Sequence, residues 1–151
     1  MFSRKIIKAA FVVGTLDLLA ASIQFYLKTN KGPAPVFKFI ASGLFGKEAF
    51  TEGNIMFVYG ILFHYVIAFI FTLLFFWVCD NFPVLMHIRI LTGVLYGIFT
   101  WIVMNLIVLP LSKVNTGSFN LANSIIGMLI LIMCMGIPLA VFAFNKISIK
   151  N

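Results

Sequence analysis

Long apolar stretches separated by short polar links run along most of this chain. A helix needs about 20 residues to cross the roughly 30 Å hydrocarbon core of a bilayer, and four stretches reach that length. They predict transmembrane helices, spans 1 to 4, at residues 6–27, 55–79, 88–110 and 121–144. Because short links join the last three, residues 1–151 are expected to form one membrane domain, an all-α bundle of four transmembrane helices.

The connection between spans 1 and 2 has a pattern of its own. After a run of turn residues, positions 36–50 are too few to span the membrane and too apolar for an ordinary loop. Lys38, Ser42 and Lys47 are set among phenylalanine and aliphatic residues, which predicts an amphipathic helix lying in the membrane interface. A shallow re-entrant turn through two glycines is the alternative.

Composition agrees with a membrane protein. Of the 151 residues, 62% are hydrophobic and 10% charged, too little polar surface for a soluble domain of this size. The net charge of +7 comes largely from residues beside the spans, where they meet lipid headgroups. The lipid bilayer is therefore the expected partner, and nucleic acid is not. Both cysteines lie in apolar segments without ligand spacing, so no metal, cofactor or disulfide framework is expected.

The basic residues also give an orientation signal. With an even number of spans, both termini share one side with Arg4, Lys5, Lys8, Arg89, Lys146 and Lys150. The other side holds Lys28, Lys31, Lys38, Lys47 and Lys113. Three basic residues crowd the first eight positions, so both termini are predicted to be cytoplasmic. A cleaved signal peptide is rejected, because the first apolar run contains Asp17 and continues past its small residues.

The most informative residue is Asp17, the single charged residue between Lys8 and Lys28. A carboxylate at the bilayer centre costs roughly 2.5 to 3.5 kcal/mol on insertion scales, and such residues usually face protein or water. Small and polar residues recur around it at steps of four and three, which predicts that Asp17 points into the bundle. That helix face comprises Ala10, Gly14, Asp17, Ala21 and Gln24.

His64 of span 2 lies between Gly60 and Ala68 at steps of four, so the imidazole also faces a packed surface. Counting a 1.5 Å rise per residue places Asp17, His64 and Thr100 at one depth, about 16 to 18 Å from the cytoplasmic edge.

The same depth count places two further polar residues, Gln24 and Asn105, nearer the outer face of the membrane. Asn105 is expected roughly 80° around span 3 from the face that carries Thr100.

Glycine and proline mark the last two spans. Gly93 and Gly97 form a GxxxG pair that favours close contact between helices. Pro110 is expected to end span 3, a polar turn is expected at 113–120, and a break at Gly136 to Pro138 is expected to kink span 4.

These residues leave several functions open. A core site of Asp17, His64, Thr100, Asn105 and Gln24 is predicted to serve small-solute, ion or proton transport, or ligand binding. The structural interpretation is an Asp17 to His64 hydrogen bond that holds two helices in register, worth about 1 kcal/mol. A structural or accessory subunit that associates with a partner protein or with its own copies is the rival. An intramembrane enzyme is the third, although no serine has a paired base at readable spacing and no catalytic residue is assigned.

A second set of candidates lies in the interfacial segment, at Lys38, Lys47 and Glu48. These side chains could coordinate a substrate at the membrane surface. A solvated charged face is the preferred interpretation.

Several motifs along nearly the whole chain resemble a family of small, uncharacterised four-span bacterial integral membrane proteins. They are Ile40-Ala-Ser-Gly43, Gly46-Lys-Glu-Ala-Phe50, His64 to Ala68, Tyr96-Gly97, Met104-Asn105, Pro110-Leu-Ser112 and Gly136-Ile-Pro-Leu-Ala140. The resemblance implies a multi-pass protein of the bacterial inner membrane and leaves its chemistry open. Its members often carry a histidine in the last span, where this chain has apolar residues such as Leu131, which argues against a two-histidine site.

Overall fold

The computed structural model describes residues 4–114 and 120–147, and this part of the chain is helical without any β-strand. The helices in chain order are α1 (Arg4–Thr29), α2 (Ala34–Phe45), α3 (Glu48–Thr51), α4 (Ile55–Asn81), α5 (Arg89–Val103), α6 (Leu109–Leu111), α7 (Leu121–Leu131) and α8 (Ile137–Ile147). Span 1 is α1 and span 2 is α4. Span 3 joins α5 to α6 through a π-turn at Met104–Val108, and span 4 joins α7 to α8 through a π-turn at Ile132–Gly136.

Among the described residues, four helical units are long and apolar enough to cross a membrane. The predicted all-α bundle of a multi-pass membrane protein is therefore confirmed, with each predicted span within a few residues of the observed one. Large apolar side chains cover the outside of the bundle, as lipid contact requires; examples are Leu19, Val58, Ile70, Leu106 and Met133. Positions 115–119 of the predicted turn, and Lys150, lie outside the described residues.

The short apolar helix predicted between spans 1 and 2 is confirmed, but it is two helices instead of one. Gly46 separates α2 from α3 with a φ of 62°, a backbone conformation that favours glycine. Its N–H donates to the carbonyl of Ser42 at 2.8 Å and closes the end of α2.

Helix α2 lies directly against span 2. A Cβ atom on Gly60 would come 2.0 Å from the carbonyl oxygen of Phe37, so the two backbones touch where the helices cross. The rings of Phe37 and Phe57 meet edge to face at 4.4 Å. On its other side, the carbonyl of Gly43 accepts from the N–H of Lys113 at 3.0 Å, just after span 3. These contacts fix α2 at one end of the bundle.

That end, where spans 1 and 3 finish and spans 2 and 4 begin, is called the α2 face below. The opposite end, where α1 begins and α8 ends, is called the terminal face. Near the terminal face, the guanidinium carbon of Arg89 lies 4.4 Å from the centre of the Phe144 ring, which ties the start of span 3 to span 4.

The GxxxG pair of span 3 makes the close helix contact predicted for it. A Cβ on Gly97 would come 2.5 Å from Cα of Ile132, and a Cβ on Gly93 would come 2.8 Å from the carbonyl oxygen of Gly136. A Cβ on Gly136 would in turn meet the carbonyl oxygen of Gly93. Spans 3 and 4 therefore pack backbone to backbone, at a distance that only glycine permits.

The packed core fills the half of the bundle nearer the terminal face, which is called the packed half. Its fully buried side chains include Val13, Phe75 and Leu139, one from each of three spans. Tyr96 completes it from span 3 and donates its hydroxyl hydrogen to the carbonyl of Phe71 at 2.6 Å.

Both prolines of spans 3 and 4 lie just after a π-turn. Proline lacks an N–H, and its ring clashes with the carbonyl four residues earlier in an α-helix. The wider π-turn relieves this clash and lets the helix continue. Span 3 consequently extends one residue past Pro110, and the disturbance predicted at Gly136 to Pro138 begins earlier, at Ile132.

Candidate functional site

A cavity of about 590 Å³ occupies the half of the bundle nearer the α2 face. Its volume falls within the range of small-molecule sites, about 300 to 1,000 Å³. The exposed members of its lining are Phe39, Asn120 and Asn123, all at the α2 face. Its buried members, such as Val13 and Met135, belong to the packed half. The cavity is thus open toward the α2 face and closed by the core below it.

Every span contributes polar groups to an otherwise apolar lining. They are Asp17 and Gln24 from span 1, His64 from span 2, Thr100, Trp101 and Asn105 from span 3, and Asn120, Asn123 and Ser124 at the start of span 4. All five residues predicted for the core site are in this set. The structure therefore brings the predicted core residues together on one cavity, while their role in transport or binding stays a prediction.

Asp17 and His64 are close neighbours, as the depth count predicts. Oδ2 of Asp17 lies 3.9 Å from Nε2 of His64, within electrostatic contact and beyond hydrogen-bond distance. Nε2 is instead 2.8 Å from the carbonyl oxygen of Gly14. A carbonyl only accepts, so Nε2 must carry the hydrogen and donate it there. The hydrogen bond between Asp17 and His64 in the structural interpretation is therefore not formed.

Spans 1 and 2 are held in register by other groups. Besides the bond from His64 to Gly14, the hydroxyls of Thr15 and Tyr65 are hydrogen-bonded at 2.8 Å. The Tyr65 ring also stacks on Phe11, with centres 5.4 Å apart. Asp17 is not needed for this contact. Its side chain is 22% exposed, against 12% for His64, and that exposure is toward the cavity.

Thr100 is the most deeply buried polar residue of the cavity wall, at 1% exposure. Its hydroxyl oxygen has no hydrogen-bond partner at normal distance. The Tyr96 hydroxyl lies nearby on the same helix and donates to Phe71; its oxygen could still accept from Thr100, but the two hydroxyls do not meet in hydrogen-bond geometry. Leaving a buried polar group unpaired costs about 1 to 3 kcal/mol. The oxygen itself has almost no accessible surface, so a molecule in the cavity would gain a hydrogen bond there only if the wall moved slightly to expose it.

Asn105 and Thr100 line the same cavity, together with Met104, so the angle of roughly 80° predicted between their faces does not separate them. The π-turn begins at Met104, just before Asn105. The amide nitrogen of Asn105 donates to the carbonyl of Trp101 at 3.0 Å, which fixes the side chain on the wall.

The interfacial candidates lie elsewhere. Lys47 and Glu48 are exposed at the junction of α2 and α3, and Lys38 is half-buried on α2. None of the three is among the described residues that line the cavity. The structure therefore separates them from the core site, in agreement with a solvated charged surface.

The polar mouth of the cavity was not predicted from the sequence. Asn120 caps the start of span 4 by accepting the N–H of Asn123 at 3.1 Å. The Lys28 ammonium donates to the side-chain oxygen of Asn123, which links the end of span 1 to the start of span 4. Ser124 lies beside them. Three polar residues in one helical turn could have indicated a polar mouth, but the same pattern is common at the start of any helix.

Among the described residues, no group of three or more His, Cys, Asp or Glu side chains is arranged to hold a metal ion. No protein-family model matches the chain, and no curated protein or solved structure matches it. The resemblance to small four-span bacterial membrane proteins thus stays a prediction, and the case for function rests on the cavity.

Proposed function

We propose that this protein moves a small solute across the bacterial inner membrane and couples that movement to protons at Asp17 and His64. The observation that carries the proposal is the position of these two ionisable groups, side by side on the wall of a cavity that opens at the α2 face. With both termini in the cytoplasm, the α2 face is the outer one, and the cavity opens away from the cytoplasm.

The cost of placing Asp17 at mid-membrane supports a functional role. A carboxylate there is expensive, and a purely structural one would be expected to make the hydrogen bonds that hold its helix. Here the bond from His64 to Gly14 and the bond between Thr15 and Tyr65 join spans 1 and 2 without Asp17. The carboxylate is left facing the cavity, where a proton or a solute can reach it.

The geometry also suits proton exchange between the pair. His64 keeps its Nε2 hydrogen on Gly14, so a further proton is taken up at Nδ1. The ring that would carry this proton lies beside the carboxylate, with Nε2 of His64 3.9 Å from Oδ2 of Asp17. Cys134 of span 4 is a further titratable side chain near enough to Asp17 to interact with it.

The transport proposal is tested in liposomes that contain purified protein and an imposed proton gradient. Solutes are added one class at a time, and an internal pH dye reports proton movement. We expect at least one class to move protons with the native protein, and Asp17→Asn to abolish that movement. Asp80→Asn is the matched control, because it makes the same chemical change on an exposed residue at the end of span 2. The proposal is contradicted if proton movement persists in Asp17→Asn. It is also contradicted if no solute class moves protons with the native protein.

The accessory-subunit alternative stays open, but the small-residue faces that suggested it are packed within this chain. It rested on faces of small residues that a partner helix or a second copy would cover. In the structure, Gly14, Gly60, Gly97 and Gly136 are buried against helices of the same chain. These faces are already occupied within the monomer.

A further inference from the structure

The charged group on the cavity wall is negative, whereas the Lys28 ammonium lies at the mouth and is hydrogen-bonded to Asn123. Among the described residues that line the cavity, Asp17 is the one carboxylate, and no lysine or arginine is present. His64 is the other ionisable group, and its Nε2 hydrogen is already donated to Gly14. In a low-dielectric cavity an unbalanced carboxylate attracts a cation strongly and repels an anion.

Thr100 adds an independent observation at the buried end of the same cavity. Its hydroxyl oxygen is unpaired and 99% of its surface is enclosed, as the 1% exposure shows. A hydroxyl can both accept and donate a hydrogen bond. A carboxylate and a free hydroxyl oxygen on one wall form a good environment for an N–H donor that carries positive charge.

The rest of the wall favours an apolar body. Phe39, Phe71, Trp101 and Met104 line it, while the amides are concentrated at the mouth. Aromatic faces attract cations and pack well against aromatic or aliphatic groups. A small inorganic cation would leave most of this surface unused, and it would find too few oxygen ligands to replace its water.

We infer that the solute is an amphiphilic organic cation, a protonated amine on an aromatic or aliphatic body, whose ammonium group binds at Asp17 and whose body lies along the apolar wall. This inference rests on the proposed function and names its substrate class. Thr100 supplies a second acceptor to the ammonium group once a small movement of the wall exposes its hydroxyl. A proton and the ammonium group compete for the Asp17 carboxylate, so binding of the cation displaces a proton held there into solution.

The test uses three probes that share a phenyl body: 2-phenylethylammonium, 2-phenylethanol and phenylacetate. Each is labelled, and its equilibrium binding to purified full-length protein in nanodiscs of neutral lipid is measured. We expect the ammonium probe to bind about tenfold more tightly than the alcohol, and the carboxylate probe to show no binding. Binding of the ammonium probe should release about one proton per molecule, detected with an indicator dye in weak buffer.

Variants locate the binding site. Asp17→Asn should remove both the preference for the ammonium probe and the proton release. Thr100→Val should weaken binding of the ammonium probe a few-fold more than binding of the alcohol. Asp80→Asn should behave as the native protein. Circular dichroism and elution from a sizing column establish that each variant is folded before it is used.

Four results would overturn the inference. Equal binding of the alcohol and the ammonium probe would overturn the cation class, and unchanged ammonium binding in Asp17→Asn would overturn the site. Absence of binding by all three probes would also count against it. The liposome experiment with other solute classes is separate, so proton-coupled transport of a neutral solute would refute the cation class while supporting the proposed function.

Discussion

The two halves of this bundle differ in how completely their polar groups are paired. In the packed half, hydroxyl groups are paired with backbone carbonyls: Thr92 donates to Leu85 and Tyr96 donates to Phe71, both at 2.6 Å. In the cavity half, Thr100 has an unpaired hydroxyl and Asp17 has only an electrostatic neighbour. Lipid gives neither half any water, so unpaired groups are costly in both. The difference indicates that the packed half provides stability and that the cavity half retains polar groups for a ligand.

The largest effect is expected from a change to the packed half. Gly97→Ala would place a methyl group 2.5 Å from the backbone of Ile132, so spans 3 and 4 must move apart. We expect the free energy of unfolding to fall by about 1 to 3 kcal/mol. Unfolding by SDS in mixed micelles measures it.

The matched control for that change lies in the cavity half. In Gly127→Ala the new methyl group would lie 3.7 Å from the indole nitrogen of Trp101, an ordinary contact. Its stability should equal or slightly exceed that of the native protein, because alanine favours a helix. Equal losses in the two variants would show that the halves do not differ in packing.

A second prediction separates the two roles of His64. His64→Leu removes the donor to Gly14 and should lower the free energy of unfolding by about 1 kcal/mol, as should Tyr65→Phe, which removes the bond to Thr15. His64→Gln keeps an N–H donor but cannot take up a proton, so it should retain stability and lose proton movement in liposomes. If His64→Gln transports protons normally, the imidazole acts only as a helix contact.

The smallest expected effect compares two buried threonines. Thr72 donates to the carbonyl of Ala68 at 2.8 Å, whereas Thr100 is unpaired. Replacement by valine, which has a similar shape, should therefore be better tolerated at Thr100, with a difference in unfolding free energy of about 0.5 kcal/mol. Thermal unfolding of both variants, analysed beside the native protein, checks the order. The reverse order would mean that Thr100 is paired in the folded protein.

Features that depend on length and hydropathy could be predicted from the sequence. The spans, the inward direction of Asp17 and its approach to His64 follow from run length, helical periodicity and depth. The partner of His64 could not be predicted, because the Gly14 carbonyl has the same chemistry as that of every other residue. The break between α2 and α3 depends on one glycine conformation, and Gly43 and Gly46 were equally plausible places for a turn.

The π-turn of span 4 also explains the unusual spacing of its inward-facing residues. Gly127, Leu131, Met135, Leu139 and Ala143 follow one another at intervals of four and all face the interior. In an unbroken α-helix each such interval overshoots a full turn by about 40°, so the last residue would lie about 160° from the first. The wider turn absorbs much of this overshoot. An α-helical turn with one residue fewer carries the chain through nearly the same rotation, so deleting one residue there should leave Leu139 and Ala143 facing the interior. Deleting one residue from an α-helical part of the span would instead turn its two ends by about 100° relative to each other, although the apolar composition of the span would barely change.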